Sequence, residues 1–444
     1  MKKNISKPSK KNDTLPIQSN TDTKAPMSTQ KVQSLKGFRD FLPREKRARA
    51  YVVTTIRQVF ETFGFEPIET PTLEYASLLL GKYGDEADKL VYSFTDRGGR
   101  DVALRYDQTV PTSRILAQYQ NELPKFFRRY QIQNVFRADK PQKGRFREFT
   151  QCDCDIFGSD SPVVDAELLA VFYAVYEKLG IASIQIKVND RQTLINTLSE
   201  FATETVTTLS IIQSIDKLDK QTESEVAEEL VSKGLSAENA ALVLSGIQSA
   251  QCSDRLAETM EMAVSLGVPR KALVFTPTLA RGLDYYTGII YEGSIPEYSV
   301  GSVGGGGRYD NLIGDLCGRD MQANGFAIGF DRTVEAVTEL NLLPDSIETT
   351  SQVLVALFDE ATAKDSFAVA TTFRKAGIAT EVYPEFDKLG KQFKLADQKN
   401  ILFVVIIGEA EKATNSVTLK NMQTGEQTTL TPQEAVAVIR KKTI

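Results

Sequence analysis

Between Gln131 and Gly158 the chain reads QIQNVFRADKPQKGRFREFTQCDCDIFG, two alternating runs joined by the turn-prone, basic connector Lys140, Pro141, Gln142, Lys143 and Gly144. In a strand, side chains two apart share a face, so Arg147, Phe149, Gln151, Asp153 and Asp155 project one way. Thr150, Cys152, Cys154 and Ile156 project the other way, as ordinary sheet packing does. A row holding an aromatic ring, an amide and two carboxylates is ill suited to a core and oddly rich for plain solvent. It suits the floor of a pocket that binds something polar. Arg137 ends the first run, where its guanidinium fork could grip a phosphate through two parallel hydrogen bonds. The other reading of these residues is a solvated edge hairpin.

Further stretches carry chemistry. Asp107 and Thr109 close a short extended run from Val102, just before Pro111 and Ser113 open a helix through Tyr119. A carboxylate and a hydroxyl so placed could hold an ammonium group; helix capping would use them without a ligand. At 279–292, LARGLDYYTGIIYE sets Arg281 beside a glycine and two tyrosines, Tyr285 and Tyr286. A permanently charged fork aimed at developing phosphate charge stabilises it without proton transfer. A salt-bridged arginine at a strand start is the alternative. GSVGGGGRYD at 301–310 fits neither GxGxxG nor a loop followed by GK[ST], so it is a weak nucleotide fingerprint. Its glycines rather suggest backbone drawn close to a ligand. The chain contains no histidine, which excludes every His-based general base, nucleophile and metal site. Its chemistry must run on arginines, carboxylates and bound metal.

The elements that position these groups follow from the patterning. At 444 residues the chain is too long for one simple core, and two or three domains are expected. Residues 1–33 are Lys-, Ser-, Thr- and Asn-rich with almost no large apolar side chains, which predicts a disordered basic tail. Helical spacing from Arg44 to Phe63 ends at Gly64, and an extended run with Pro67 and Pro71 follows over 66–72. A helix is predicted over Ser161–Leu179 and a strand over Ile184–Val188. Over 190–270 the apolar period is helical, which predicts an inserted helical domain between the two parts of the first domain, 34–189 and 271–340. Gly325–Phe330 reads as a strand with Arg332 opening the helix behind it. After a polar linker, 341–352, strands and helices alternate through 353–444, as in a small α/β domain with a largely parallel sheet.

Composition bounds the rest. Forty-one per cent hydrophobic and 25% charged is ordinary for a soluble globular chain. No apolar run reaches membrane-spanning length and no signal peptide is visible, so no membrane partner is expected. Cys152, Cys154, Cys252 and Cys317 lack Cys-x-x-Cys spacing, which indicates neither zinc nor disulfides and fits a cytoplasmic location. The net charge of −5 does not exclude a nucleic-acid partner, since binding depends on local basic patches.

The FRAD–basic loop–GRFREF stretch resembles motif 2 of the class II aminoacyl-tRNA synthetases, and its continuation TQCDCDIFG is similar to the histidyl-tRNA synthetase version. GFRDFLP at 37–43, ALRYDQTVP at 103–111, LARGLDYYTG at 279–288 and GFAIGFDR at 325–332 echo the same family in its own order. GKQFKLAD at 390–397 is similar to a segment of the family's anticodon-binding domain. The resemblance implies an α+β fold: an antiparallel-sheet catalytic domain with a helical insertion, plus a C-terminal α/β anticodon-binding domain over 353–444.

The resemblance also implies a chemistry: attachment of L-histidine to tRNA(His) through a histidyl-adenylate, with ATP and Mg2+, by a homodimer whose interface is built by the helix and strand near residues 44–72. Arg281 and Arg137 would be catalytic. Arg137, Asp139, Arg145, Phe149 and Arg332 would bind ATP, Phe149 and Arg332 sandwiching the adenine; Asp139 replaces the family's commoner Glu. Asp107, Thr109 and Gln151 would hold the ammonium end of histidine, and Asp155, Tyr285 and Tyr286 its side of the pocket. Gln142 and Arg147 would meet the tRNA acceptor end. Rival readings are a non-catalytic paralogue regulating histidine biosynthesis, and a sister enzyme for threonine, proline or glycine. The intact arginines and the region 351–444 oppose the first; YYTG and QCDCD oppose the second.

Overall fold

In the computed structural model the described residues are 32–81, 90–140, 144–281, 286–298, 301–318, 320–357 and 359–443. The expected tail lies almost wholly outside them, and so do Gln142 and Tyr285.

Helix α1 (Pro43–Thr62) leads into β1 (Glu66–Pro67). The extended run predicted over 66–72 pairs over only those two residues before the chain moves to a three-stranded sheet of β2 (Leu73–Tyr75), β3 (Ser93–Thr95) and β4 (Asp101–Leu104), with α2 (Ala76–Leu79) beside it. Past Ile68 the backbone bonds to side chains instead of a strand: Thr70 N donates to Gln133 Oε1 at 3.1 Å and the Thr70 carbonyl accepts from Arg105 at 2.6 Å. Helix α3 (Thr109–Gln118) starts at Thr109, before the proline that sequence suggested as its opening.

The long hairpin is β5 (Phe127–Phe136) and β6 (Glu148–Phe157), paired residue for residue from Phe127↔Phe157 to Phe136↔Glu148. Behind it runs α4 (Pro162–Lys178), opened by a Ser161 side chain that accepts from Val163 N and by Pro162 at its first turn. Strand β7 (Gln185–Asp190) follows.

Five helices then intervene: α5 (Arg191–Leu198), α6 (Thr208–Ile215), α7 (Glu223–Lys233), α8 (Ala237–Ser249) and α9 (Asp254–Ser265). Each begins on a side-chain cap, in order Asp190, Thr207, Thr222, Ser236 and Ser253. A cap of this kind contributes about 1 kcal/mol. The chain returns through β8 (Leu273–Phe275), β9 (Ile289–Ser294), β10 (Gly304–Arg308), α10 (Asp310–Cys317), β11 (Ala323–Gly329) and α11 (Phe330–Glu339).

The main sheet has the order β1-β5-β6-β11-β10-β9-β7-β8 and is antiparallel except at its two ends, β1 with β5 and β7 with β8. Phe172 of α4 packs under it, edge-on to Phe326 with ring centroids 5.1 Å apart. Glycine is required beneath that ring: a Cβ at Gly293 would lie 2.6 Å from Phe172 Cζ.

From Val353 the chain forms β12 (Val353–Val355), α12 (Ala363–Lys375), β13 (Thr380–Val382), α13 (Leu389–Gln398), β14 (Phe403–Ile406), α14 (Glu409–Thr414), β15 (Val417–Asn421), β16 (Gln427–Leu430) and α15 (Pro432–Thr443). This second sheet is mixed rather than largely parallel. Strands β13-β12-β14 are parallel, and β15 and β16 add an antiparallel edge. A tight turn at Asn421–Gly425 joins that last pair, so no crossover helix was needed to bring them together. No helix among the described residues is long and apolar enough to cross a membrane.

Candidate active site

The alternation read along β6 is the alternation found. Cys152, Cys154 and Ile156 are buried in the core against α4, while Gln151, Asp153 and Asp155 line a cavity of about 420 Å³ on the other face. Asp107, Thr109, Tyr286 and Tyr309 complete its wall. A second cavity of about 480 Å³ is lined by Arg145, Phe146, Phe149, Glu292, Ser302, Asp331 and Arg332. Arg137, Asp139, Gln151, Arg281, Gly305 and Ala327 line both, so the two form one cleft with two guanidinium groups at its waist.

Both arginines are held. Arg137 donates through Nε to the Tyr106 carbonyl at 2.9 Å and sits 5.1 Å from the centre of the Phe149 ring. Arg281 donates to Glu292 Oε2 at 3.0 Å and has a φ of 41°, a left-handed conformation that costs an arginine energy. Arg332, in the first turn of α11, donates to the Ser302 carbonyl at 2.6 Å. Its neighbour Asp331 accepts from Arg39 at 2.7 Å, and the Arg39 guanidinium also lies 3.2 Å from the Phe146 ring centre. The GFRDFLP segment is thereby tied to both walls of the second cavity.

The floor is strongly charged. Arg129, on β5 directly opposite Asp155, is fully buried and stands 2.8 Å from the carboxylate. Tyr309 donates its hydroxyl to the other Asp155 oxygen. Burial pushes the Asp155 carboxyl up, and the guanidinium and the hydroxyl work the other way. Burial likewise opposes the charge on Arg129, but Asp155 and Asp153 outweigh it and raise its pKa. Burial pushes Asp153 up to about 8, with Arg129 countering and the Asp155 and Asp107 charges adding. A cationic ligand group entering beside Asp153 would reverse that shift.

Of the expected site residues, Asp107, Thr109, Arg137, Asp139, Arg145, Phe149, Gln151, Asp155, Arg281, Tyr286 and Arg332 line the cleft, Arg147 does not, and Gln142 and Tyr285 lie outside the described residues. Asp107 both lines the cavity and caps α3, accepting from Val110 N at 3.2 Å. Asp155 is 4% exposed and ion-paired, so the carboxylate on the pocket floor is part of the buried structure as well. Arg147 donates through Nε to the Asp139 carbonyl at 3.1 Å, which pins the base of the β5–β6 loop. The glycine run serves protein as well as ligand space. A Cβ at Gly307 would lie 2.9 Å from the Tyr286 ring, one at Gly325 would overlap Asp155 Oδ1, and one at Gly305 would overlap Arg281 Nη1. Asp153, on the same strand face as Gln151 and Asp155, joins the site as well, and the alternation along the strand is the signal that marks it. Glu292, Asp331 and Arg129 gave none, because their partners are distant in sequence.

A family profile described as Histidyl-tRNA synthetase matches residues 37–333, and one described as Anticodon binding domain matches residues 352–442. The chain is 42% identical over 432 residues to the histidine–tRNA ligase of Wolinella succinogenes, covering 92% of this chain and 97% of that one. It is 38% identical over 445 residues to that of Christiangramia forsetii, covering 90% and 97%. The crystal structure of histidyl-tRNA synthetase from Nostoc sp. PCC 7120 superposes with a TM-score of 0.82 at 31% identity, covering 92% of this chain and 99% of that chain. The chain belongs to the histidyl-tRNA synthetase family.

Proposed function

We infer that the chain attaches L-histidine to tRNA(His) at the expense of ATP. The observation that carries this reading is the cleft of two chambers meeting between Arg137 and Arg281. The first chamber, floored by carboxylates, suits a small zwitterion with a polar ring. Asp107, Thr109 and Gln151, joined by Asp153, take its ammonium group, and Asp155 and Tyr286 face the ring. The second suits a nucleotide: Phe149 and Arg332 sandwich the base, since a ring and a cation can hold a π-face between them, and Asp139 and Arg145 contact it further.

The histidine carboxylate then lies at the waist against the α-phosphorus. Its oxygen forms a bond to phosphorus as the bond to pyrophosphate breaks, giving histidyl-adenylate and pyrophosphate. Arg137 and Arg281 stabilise the charge that develops on the phosphoryl oxygens. The terminal ribose hydroxyl of the tRNA next attacks the acyl carbon and AMP leaves.

No three His, Cys, Asp or Glu side chains cluster as an all-protein metal cage among the described residues. Asp139 and Glu292, carboxylates lining the nucleotide chamber, would help to hold Mg2+ beside a bound nucleotide. Bound there, Mg2+ would offset charge on the departing pyrophosphate.

Residues 353–444 grip the anticodon arm, and Gln142 and Arg147 of the β5–β6 loop meet the acceptor end. The enzyme works as a cytoplasmic homodimer, which sedimentation velocity checks as a mass twice that of the chain. The intact arginines and the C-terminal domain leave the non-catalytic regulatory reading unsupported. Charging assays with purified chain, ATP and single tRNA species test the whole proposal: histidine should be loaded on tRNA(His), and absence of that product would overturn it.

A further inference from the structure

Arg281 lies in the segment 277–281, which follows β8 and is outside the assigned strands. The parallel pairing of β7 with β8 ends at Val188↔Phe275, with one last bond from Thr276 N to the Val188 carbonyl at 2.9 Å. Beyond it the chain turns, Leu279 N bonding to the Thr276 carbonyl, and Arg281 follows two residues later at a φ of 41°. A strained arginine persists only where its surroundings over-determine the conformation.

Asn189 holds the backbone that leads into Arg281. Its side chain is fully buried at the end of β7, and its carboxamide nitrogen donates to the carbonyls of Pro277 and Leu279, both at 2.9 Å. Two carbonyls converge on one atom, and among uncharged side chains the NH2 of a carboxamide satisfies both. The side chain continues the hydrogen-bonding that the strands have stopped supplying.

The residue is itself fixed. Its backbone pairs with Ile290 of β9, two residues from the Glu292 that accepts from Arg281. Asp190, next in the chain, caps α5 through Gln192 N at 2.8 Å and accepts from the Ser253 hydroxyl at 2.8 Å, Ser253 being the cap of α9. The first and the last helix of the insertion thus both start against the residue beside Asn189.

We propose that Asn189 is a positioning residue for Arg281, holding the segment 277–281 so that the guanidinium sits at the waist of the cleft. This rests on the assignment of Arg281 to adenylate formation. Misplacing a catalytic group by about 1 Å can cost on the order of 100-fold in rate. Removing the carboxamide should therefore act on kcat and leave ground-state binding alone.

The test is ATP–pyrophosphate exchange by Asn189→Ala, Arg281→Ala and the double variant, with melting temperatures recorded alongside. Asn189→Ala is expected to lower kcat roughly 10- to 100-fold, the scale of a positional error, with KM for histidine and for ATP unchanged. In the Arg281→Ala background the same substitution should cost nothing further, because the group it positions is gone. If Asn189→Ala does not fold, Asn189→Ser, whose hydroxyl can serve only one of the two carbonyls, goes through the same cycle and should show a smaller loss of kcat. Full kcat in a folded Asn189 variant, or an equal fold-loss with and without Arg281, overturns the proposal. Near-normal exchange by Arg281→Ala alone would instead remove the assignment on which it rests.

Discussion

Arg129 and Asp155 face each other across the β5–β6 ladder, the guanidinium nitrogen 2.8 Å from the carboxylate and the arginine wholly removed from solvent. The pair therefore serves stability and site at once, because the same carboxylate lines the first cavity and receives the Tyr309 hydroxyl. Breaking a buried pair by deleting one partner costs about 3–5 kcal/mol, chiefly by leaving the other charge uncompensated. Asp155→Ala should lower the unfolding free energy measured in urea by that order and raise KM for histidine. Adding Arg129→Met should recover much of the stability but none of the histidine affinity. Unchanged unfolding of the single variant would show that the pair contributes nothing to stability.

Asp153 supplies a pH signature. Its folded pKa of about 8 lies above the ordinary carboxylate value, so between roughly pH 4 and 8 the folded state holds a proton that the unfolded state has lost. Stability from this group is accordingly lost as pH rises through that window and is level above it. Asp153→Asn removes the ionisation, so its melting temperature relative to wild type should climb from pH 5 to pH 8. A constant difference across that range would mean that Asp153 ionises normally.

The nucleotide chamber can be tested apart from the amino-acid chamber. Phe149 and Arg332 both line the second cavity and neither lines the first. Stacking of a base on an aromatic ring is worth about 1–3 kcal/mol. Phe149→Ala should raise KM for ATP by roughly 5- to 150-fold on that basis, with KM for histidine little moved. A rise in the histidine constant of equal size would place the ring elsewhere in the mechanism.

Much of this site was legible in sequence for a physical reason. A strand forces period two on its side chains, so Gln151, Asp153 and Asp155 announced a common face whatever lay around them. What stayed hidden depended on partners brought up from far along the chain. Nothing local marks Arg129 as buried, Glu292 as the partner of Arg281, or Asp331 as the anchor of Arg39. The C-terminal sheet shows the same limit. Its hydrophobic strands β12 and β14 were plain, but β16 reads QTTL, almost wholly exposed and without an apolar alternation to betray it.

The C-terminal unit should separate binding from chemistry. Its five-stranded sheet has its own core around Val353, Phe373, Phe403 and Ile439, and none of its described residues lines the cleft. Deleting 351–444 should leave histidine-dependent pyrophosphate exchange largely intact and weaken tRNA charging, because backbone phosphate contacts supply much of RNA affinity. Equal charging by the truncated chain would assign that unit another role.

The central claim is that the carboxylate-floored chamber selects histidine for transfer to ATP. A site built around buried polar partners rejects analogues that leave them unpaired, by on the order of 10⁴-fold. The most direct measurement is ATP–pyrophosphate exchange by the purified full-length chain with each of the twenty amino acids in turn. The account predicts exchange with histidine and none above background with threonine, proline or glycine. Exchange driven by one of those three, or by no amino acid at all, would contradict it.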